Sequence, residues 1–180
     1  MEKVTLNDKT FKLFIPCEKI MAAIDSVAAE LNEDFRDCTD VPVFLCVLNG
    51  SIPFTGELMK RLNFNLQLAS TKLSSYSGTK STGAVKQMLG LTADVKGRRV
   101  VVIEDIVDTG NTIVELDRIL RESGASEVHV CTLLFKPGTY KKNIPIRYKA
   151  MEIPDDFIVG FGLDYDEIGR NLKDIYVLEA

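Results

Sequence analysis

The sequence predicts an α/β fold in which a mainly parallel sheet carries helices on its faces, and three observations lead there. Between about residues 18 and 136, short apolar runs alternate with longer amphipathic segments, the order expected of strand–helix–strand units. The short runs, such as Val43-Phe44-Leu45-Cys46-Val47-Leu48 and Val100-Val101-Val102-Ile103, are apolar throughout. Strands covered by helices on both sides read this way, whereas a strand with one wet face alternates. Finally, 180 residues fit a single domain, 1–180, which at that size buries roughly 70% of the surface its unfolded chain exposes.

The elements follow in order. A helix begins near Glu18 and runs through Leu31. Residues 43–48 form a buried strand, 52–62 a helix with Pro53 in its first turn, where proline is tolerated, and 66–71 a second strand. A ten-residue polar loop, 74–83, precedes a strand at 86–91 and a turn at 94–99. The strand from Val100 leads to a helix whose apolar stripe is Ile113, Leu116, Ile119 and Leu120. That helix ends about Glu122 with Gly124 as its stop, and 127–135 is a further strand. Beyond Lys136, Pro137, Gly138, Pro145 and Pro154 break the pattern, and short strands at 157–161 and 175–178 close the chain. The tail (137–180) and the N-terminal segment (1–17) are expected to form a small hood over the ligand edge of the core (18–136).

Composition narrows the function. A net charge of −4 leaves no basic footprint for nucleic acid or a membrane surface. Cys17, Cys38, Cys46 and Cys131 show no C-x-x-C spacing and read as thiols of a reducing compartment. With no signal peptide and no apolar stretch near the ~18 residues of a membrane helix, a cytoplasmic protein is expected. Asn49-Gly50-Ser51 matches the glycosylation triplet, incidentally in that setting.

The chemistry concentrates after Ile103, where Glu104-Asp105-Ile106-Val107-Asp108-Thr109-Gly110-Asn111-Thr112 follows the apolar strand. Ligands of open α/β sheets bind at the carboxyl ends of the strands. Backbone N–H groups and hydroxyls of 109–112, at a helix start, hold phosphate without a lysine. Glu104 and Asp105 face opposite sides if the strand continues through them, so both reach one ligand only if it ends there. The plain alternative is a capping turn with solvated acids, Asp108 being the helix N-cap. Residues 74–83 are not a Walker A loop, because Ala84 and Val85 stand where Lys and Ser or Thr are needed.

The run from the strand through Asp-Thr-Gly-x-Thr resembles the phosphoribosyl pyrophosphate motif of the type I phosphoribosyltransferases. The likeness to the hypoxanthine-guanine phosphoribosyltransferases extends over about 43–178. Leu48-Asn49-Gly50-Ser51 resembles their pyrophosphate loop, Ser75-Tyr76 and Ser81-Thr82-Gly83 their mobile loop, and Leu134-Phe135-Lys136 their base-recognition strand. The stretch from Glu152 through Asp164 to Arg170 resembles their hood.

The resemblance implies joining of a 6-oxopurine, hypoxanthine and guanine, to 5-phosphoribosyl 1-pyrophosphate, with Mg²⁺ as cofactor and a homodimer or homotetramer as the assembly. It implies Glu104 and Asp105 on the ribose hydroxyls and a metal, and Thr109, Gly110, Asn111 and Thr112 on the 5-phosphate. Asp108 is the implied general base. Leu48, Asn49, Gly50 and Arg170 fall on the pyrophosphate, Ser75 and Tyr76 in the mobile loop. Lys136, Phe157, Ile158 and Asp164 fall beside the base, with Asp164 also a ligand of a second Mg²⁺. A lysine ammonium only donates hydrogen bonds, so Lys136 favours an acceptor oxygen at C6 over the amino group of adenine. As an ordinary residue, Lys136 would be a strand-end lysine reaching to water. Two positions depart from the pattern: Asn49 replaces a lysine or arginine of many relatives, and Asn111 a lysine of some eukaryotic ones. His129, mid-strand, is expected to be structural.

Hypoxanthine, guanine and xanthine stay unranked at this point. Lys136 and the tail speak against a pyrimidine. Asp108, Ser75-Tyr76 and Asp164 speak against a non-catalytic sensor, as does the expected lack of a DNA-binding arm.

Overall fold

The computed structural model describes residues 2–75 and 85–179. It opens with a hairpin of β1 (Lys3–Leu6) and β2 (Lys9–Ile15) and then α1 (Cys17–Asp34). There follow β3 (Val43–Val47), α2 (Ile52–Met59), β4 (Gln67–Ser75), β5 (Val85–Leu89), β6 (Arg99–Val107), α3 (Asn111–Glu122) and β7 (Glu127–Phe135). The chain ends with β8 (Tyr148–Glu152), β9 (Ile158–Val159) and β10 (Ile175–Leu178). Six strands form the main sheet in the order β5-β4-β3-β6-β7-β8, parallel except for the antiparallel β4–β5 edge. The expected α/β class with a mainly parallel sheet is what the chain adopts. A second sheet, β1-β2-β10-β9, is antiparallel throughout.

The all-apolar strands pack as their composition requires. On one face Phe44, Val101 and Ile103 meet Ile20, Ile24 and Leu31 of α1 and Phe54 and Leu58 of α2. On the other, Val43, Leu45, Val100 and Val102 meet Ile113, Leu116 and Leu120 of α3. A smaller cluster of Phe11, Val159 and Tyr176 lies within the second sheet. Among the described residues no helix is long and apolar enough to cross a membrane. The four cysteines are free, Cys46 and Cys131 buried and Cys17 and Cys38 partly so.

Several boundaries move. The first helix runs on to Asp34, and α2 stops at Met59 rather than 62, where Arg61 turns back to bond the Leu58 carbonyl. The tail after Lys136 is not all hood, because β8 pairs with β7 and forms an edge of the main sheet. Tyr148 explains the docking: its ring is buried and its hydroxyl donates to Asp34 at the end of α1, 2.8 Å away. The strand expected at 157–161 shrinks to Ile158–Val159, since Gly160, Phe161 and Gly162 all take positive φ.

Candidate active site

The site forms where the sheet changes direction. From β3 the chain moves to β4 on one side, and from β6 to β7 on the other, so a crevice opens above β3 and β6. The β3–β6 ladder ends at Cys46 and Ile103, while β6 keeps its pairing with β7 through Val107. The expectation that the strand stops at the acids is therefore corrected: β7 holds it extended for four further residues. Glu104 and Asp105 consequently alternate, yet both line a cavity of about 290 Å³ with Leu48, Asn49, Gly50, Thr112 and Arg170. Glu104 also lines the adjoining hollow of about 100 Å³ over the 108–112 turn.

The loop after β3 is pressed against Asp105. The Leu48–Asn49 peptide is cis, and a Cβ added to Gly50 would lie 1.7 Å from Asp105 Oδ2, so a larger residue there would displace the carboxylate. Burial pushes the Glu104 carboxyl well above its usual range, and the neighbouring Asp105 and the Cys46 thiol push it further. Burial raises Asp105 as well, partly offset by the Ile106 N–H, 2.9 Å away, and by Arg170. The folded protein thus holds protons that the unfolded chain releases, and stability falls as pH rises above the ordinary carboxylate range. Glu104→Gln is expected to melt above the parent in the ligand-free protein, by a margin wider at pH 8 than at pH 4. Thermal melts at the two pH values check this, and a margin that does not widen contradicts it.

The turn at 108–112 rules out the plain alternative for Asp108. The N-cap of α3 is Gly110, in the left-handed region at φ 80°, with no side-chain cap bond, so Asp108 is not the N-cap. Glycine is required there because a Cβ would meet the Tyr140 ring at 2.4 Å. Freed from capping, Asp108 points one oxygen at Lys136, 3.4 Å from its Nζ, and leaves Oδ1 buried with no protein partner. Thr109, Asn111 and Thr112 line the same hollow.

Lys136 does not reach out to water. It is 7% exposed, and its Nζ donates to the Asp156 carbonyl oxygen at 2.9 Å as well as facing Asp108. An ammonium so placed keeps a third N–H for a ligand. Its backbone is fixed by the bond from its N–H to the Val107 carbonyl, which ties the end of β7 to the end of β6.

The tail supplies the opposite wall. Arg170 pairs with Asp164 at 2.7 Å and donates to the Gly162 carbonyl at 2.8 Å, while Asp164 also accepts the Glu167 N–H. Ile158 is buried; Phe157 is 46% exposed, its ring tilted against Phe11 and edge-on to Tyr165. Ser75 closes β4, whereas Tyr76 and the rest of 76–84 lie outside the described residues. His129 sits in β7 with Nε2 3.0 Å from Glu127. Sequence reasoning missed Gly162, whose φ is +101° and where a Cβ would strike the Gly50 carbonyl oxygen at 1.9 Å. The signal was the Gly160-Phe161-Gly162 triplet, which no strand explains.

A switch-point crevice with buried acids, a phosphate-type turn and a buried lysine defines a class, and the comparisons agree with it. A model of the phosphoribosyl transferase domain matches residues 16–166, and the chain belongs to that family. Within it, the hypoxanthine-guanine phosphoribosyltransferase of Lactococcus lactis is 44% identical over 180 residues, covering 99% of this chain and 97% of the relative. That of Streptococcus pneumoniae is 37% identical over 175 residues, covering 97% and 96%. The solved hypoxanthine phosphoribosyltransferase of Staphylococcus aureus superposes with a TM-score of 0.86 at 34% identity, covering 93% of this chain and 91% of that one.

Proposed function

We propose that this protein is a purine-salvage transferase that joins hypoxanthine or guanine to 5-phosphoribosyl 1-pyrophosphate, giving the nucleotide and pyrophosphate. The observation that carries the reading is Lys136, held buried between Asp108 and the Asp156 carbonyl beside the crevice of Glu104 and Asp105. A buried lysine at a strand end is rare, and with two partners in place Lys136 still has an N–H to offer a ligand.

In the reaction the C1–O bond to pyrophosphate breaks as the C1–N bond to the purine forms, and the purine ring releases a proton. Asp108 accepts or polarises that proton, worth about 10² to 10⁴ in rate for a typical acid–base group. Lys136 donates to the 6-oxygen. Glu104 and Asp105 accept hydrogen bonds from the ribose hydroxyls and stabilise the positive charge that develops at C1. The N–H groups and hydroxyls of 109–112 hold the 5-phosphate. Leu48, Asn49 and Gly50 of the loop after β3, with Arg170, meet the pyrophosphate.

Mg²⁺ fits this donor set. Among the described residues no three His, Cys, Asp or Glu side chains cluster closely enough to hold an ion by themselves. Mg²⁺ is ordinarily held by one or two carboxylates with water and substrate oxygens, and the buried Glu104–Asp105 pair, disfavoured as bare charge, offers that arrangement. When bound, the ion neutralises the charge of the diphosphate. Glu104 and Asp105 would hold one ion on the ribose side, and Asp164 would hold a second on the pyrophosphate side, once it gives up its pairing with Arg170. We place the protein in the cytoplasm as a homodimer or homotetramer, an assembly favoured by Ile52 and Leu68, which are about half exposed beside an apolar groove behind Leu48.

Nucleotide formation from hypoxanthine in Mg²⁺ and in excess chelator tests this directly, and activity should vanish with the chelator. Asp164→Asn should raise KM for phosphoribosyl pyrophosphate by about tenfold, the loss of one charged contact, and leave KM for hypoxanthine near the parent value. Full activity in chelator would refute the metal's part.

A further inference from the structure

The hood meets the core at a junction where the backbone runs out of hydrogen bonds. Strand β10 pairs with β2, and the last rung is Ile175 with Ile15. One step further lies Pro16, which has no N–H to continue the ladder. Pro16 is also the N-cap of α1, an 18-residue helix with no side-chain cap bond from that residue. Asp174 supplies the missing cap and joins the strand to the helix past the end of the ladder. It is 4% exposed, and its Oδ1 accepts the N–H of Cys17, the first residue of α1, at 2.7 Å; the Tyr176 hydroxyl lies 3.4 Å from Oδ2. A carboxylate at a helix N-terminus is the favourable sign for the helix dipole.

From Asp174 a line of close contacts leads into the proposed site. A Cβ on Gly160 would lie 2.1 Å from the Asp174 carbonyl oxygen, so the two backbones touch. Phe161 and Gly162 bond through their N–H groups to the carbonyls of Leu172 and Arg170. Gly162 rests in turn on the Gly50 carbonyl, and Gly50 on the Asp105 carboxylate.

We infer that Asp174 is a positioning residue, capping α1 across the hood–core junction and thereby fixing the register in which residues 160–170 sit on the loop at Gly50. This rests on the transferase reading. If the cap is lost, the hood samples displaced registers, and apparent affinities fall by the fraction of molecules still competent.

The test compares the parent with Asp174→Ala and Cys17→Pro. Cys17→Pro deletes the donated N–H from the core side, and proline suits the first helical position after an extended residue, which Pro16 is at ψ 153°. Both variants should raise KM for hypoxanthine and for phosphoribosyl pyrophosphate by about tenfold, the usual worth of a hydrogen bond to a charged group, with kcat at saturation close to the parent's. Asp174→Asn, which keeps an acceptor oxygen, should recover most of the loss. Lowered melting temperatures with both KM values unmoved would overturn the inference and leave Asp174 a stability residue only. If Asp174→Ala does not fold, Cys17→Pro decides alone. A parent inactive on hypoxanthine would refute the transferase reading instead, so the two failures are distinguishable.

Discussion

Asp108→Asn is expected to lower turnover by about 10² or more while leaving the melting temperature nearly unchanged. The amide keeps the size of the side chain but cannot accept the purine proton. Stability should hold for two reasons. Asp108 does not cap α3, since Gly110 does, and its pairing with Lys136 is long at 3.4 Å with the Asp108 side chain 45% exposed, so solvent discounts it to about 1 kcal/mol or less. Lys136 meanwhile keeps the Asp156 carbonyl as a partner. Steady-state kinetics with hypoxanthine and thermal melts together check this. Equal turnover in the variant would remove Asp108 from the chemistry, and a large loss of stability would make the carboxylate structural.

Lys136→Gln should change which base is used. The buried ammonium donates to O6 of hypoxanthine or guanine, whereas the amino group of adenine would bring donor against donor. Leaving such a buried group unpaired costs about 1 to 3 kcal/mol, or about 5- to 150-fold in specificity constant, so adenine should be a poor substrate for the parent. A glutamine amide presents either a donor or an acceptor. The variant should therefore lose 6-oxopurine activity and narrow the gap to adenine. Specificity constants for hypoxanthine, guanine and adenine in both proteins decide it, and an unchanged ratio would place base recognition elsewhere in the tail.

The main sheet was legible because strands buried on both faces are apolar without interruption, as at 43–47 and 100–103, and because α3 carries one clean apolar stripe. Strand β8 was not, since it is an edge strand: Lys149 and Glu152 are exposed while Tyr148 is buried, too short a pattern to read among prolines. The acids and the 108–112 turn were legible as chemistry, because carboxylates directly after a buried apolar strand have little structural use. The course of the strand through them was not, since it depends on β7 lying alongside. Nor did local sequence reveal the contacts made across the chain, such as Lys136 on the Asp156 carbonyl, Gly50 between Asp105 and Gly162, or Asp174 on α1. The plain alternative, with Asp108 as the N-cap, does not hold. Aspartate is favoured at N-caps in general, but here the chain enters α3 through Gly110 in the left-handed region, two residues later.

The most direct measurement is nucleotide formation by the purified protein from 5-phosphoribosyl 1-pyrophosphate and Mg²⁺ with hypoxanthine, guanine, xanthine, adenine or uracil supplied singly, products being separated and identified by mass. The account predicts the hypoxanthine and guanine nucleotides with one pyrophosphate released for each, and adenine and uracil far behind. No product from either 6-oxopurine, or uracil used in preference to both, would contradict it.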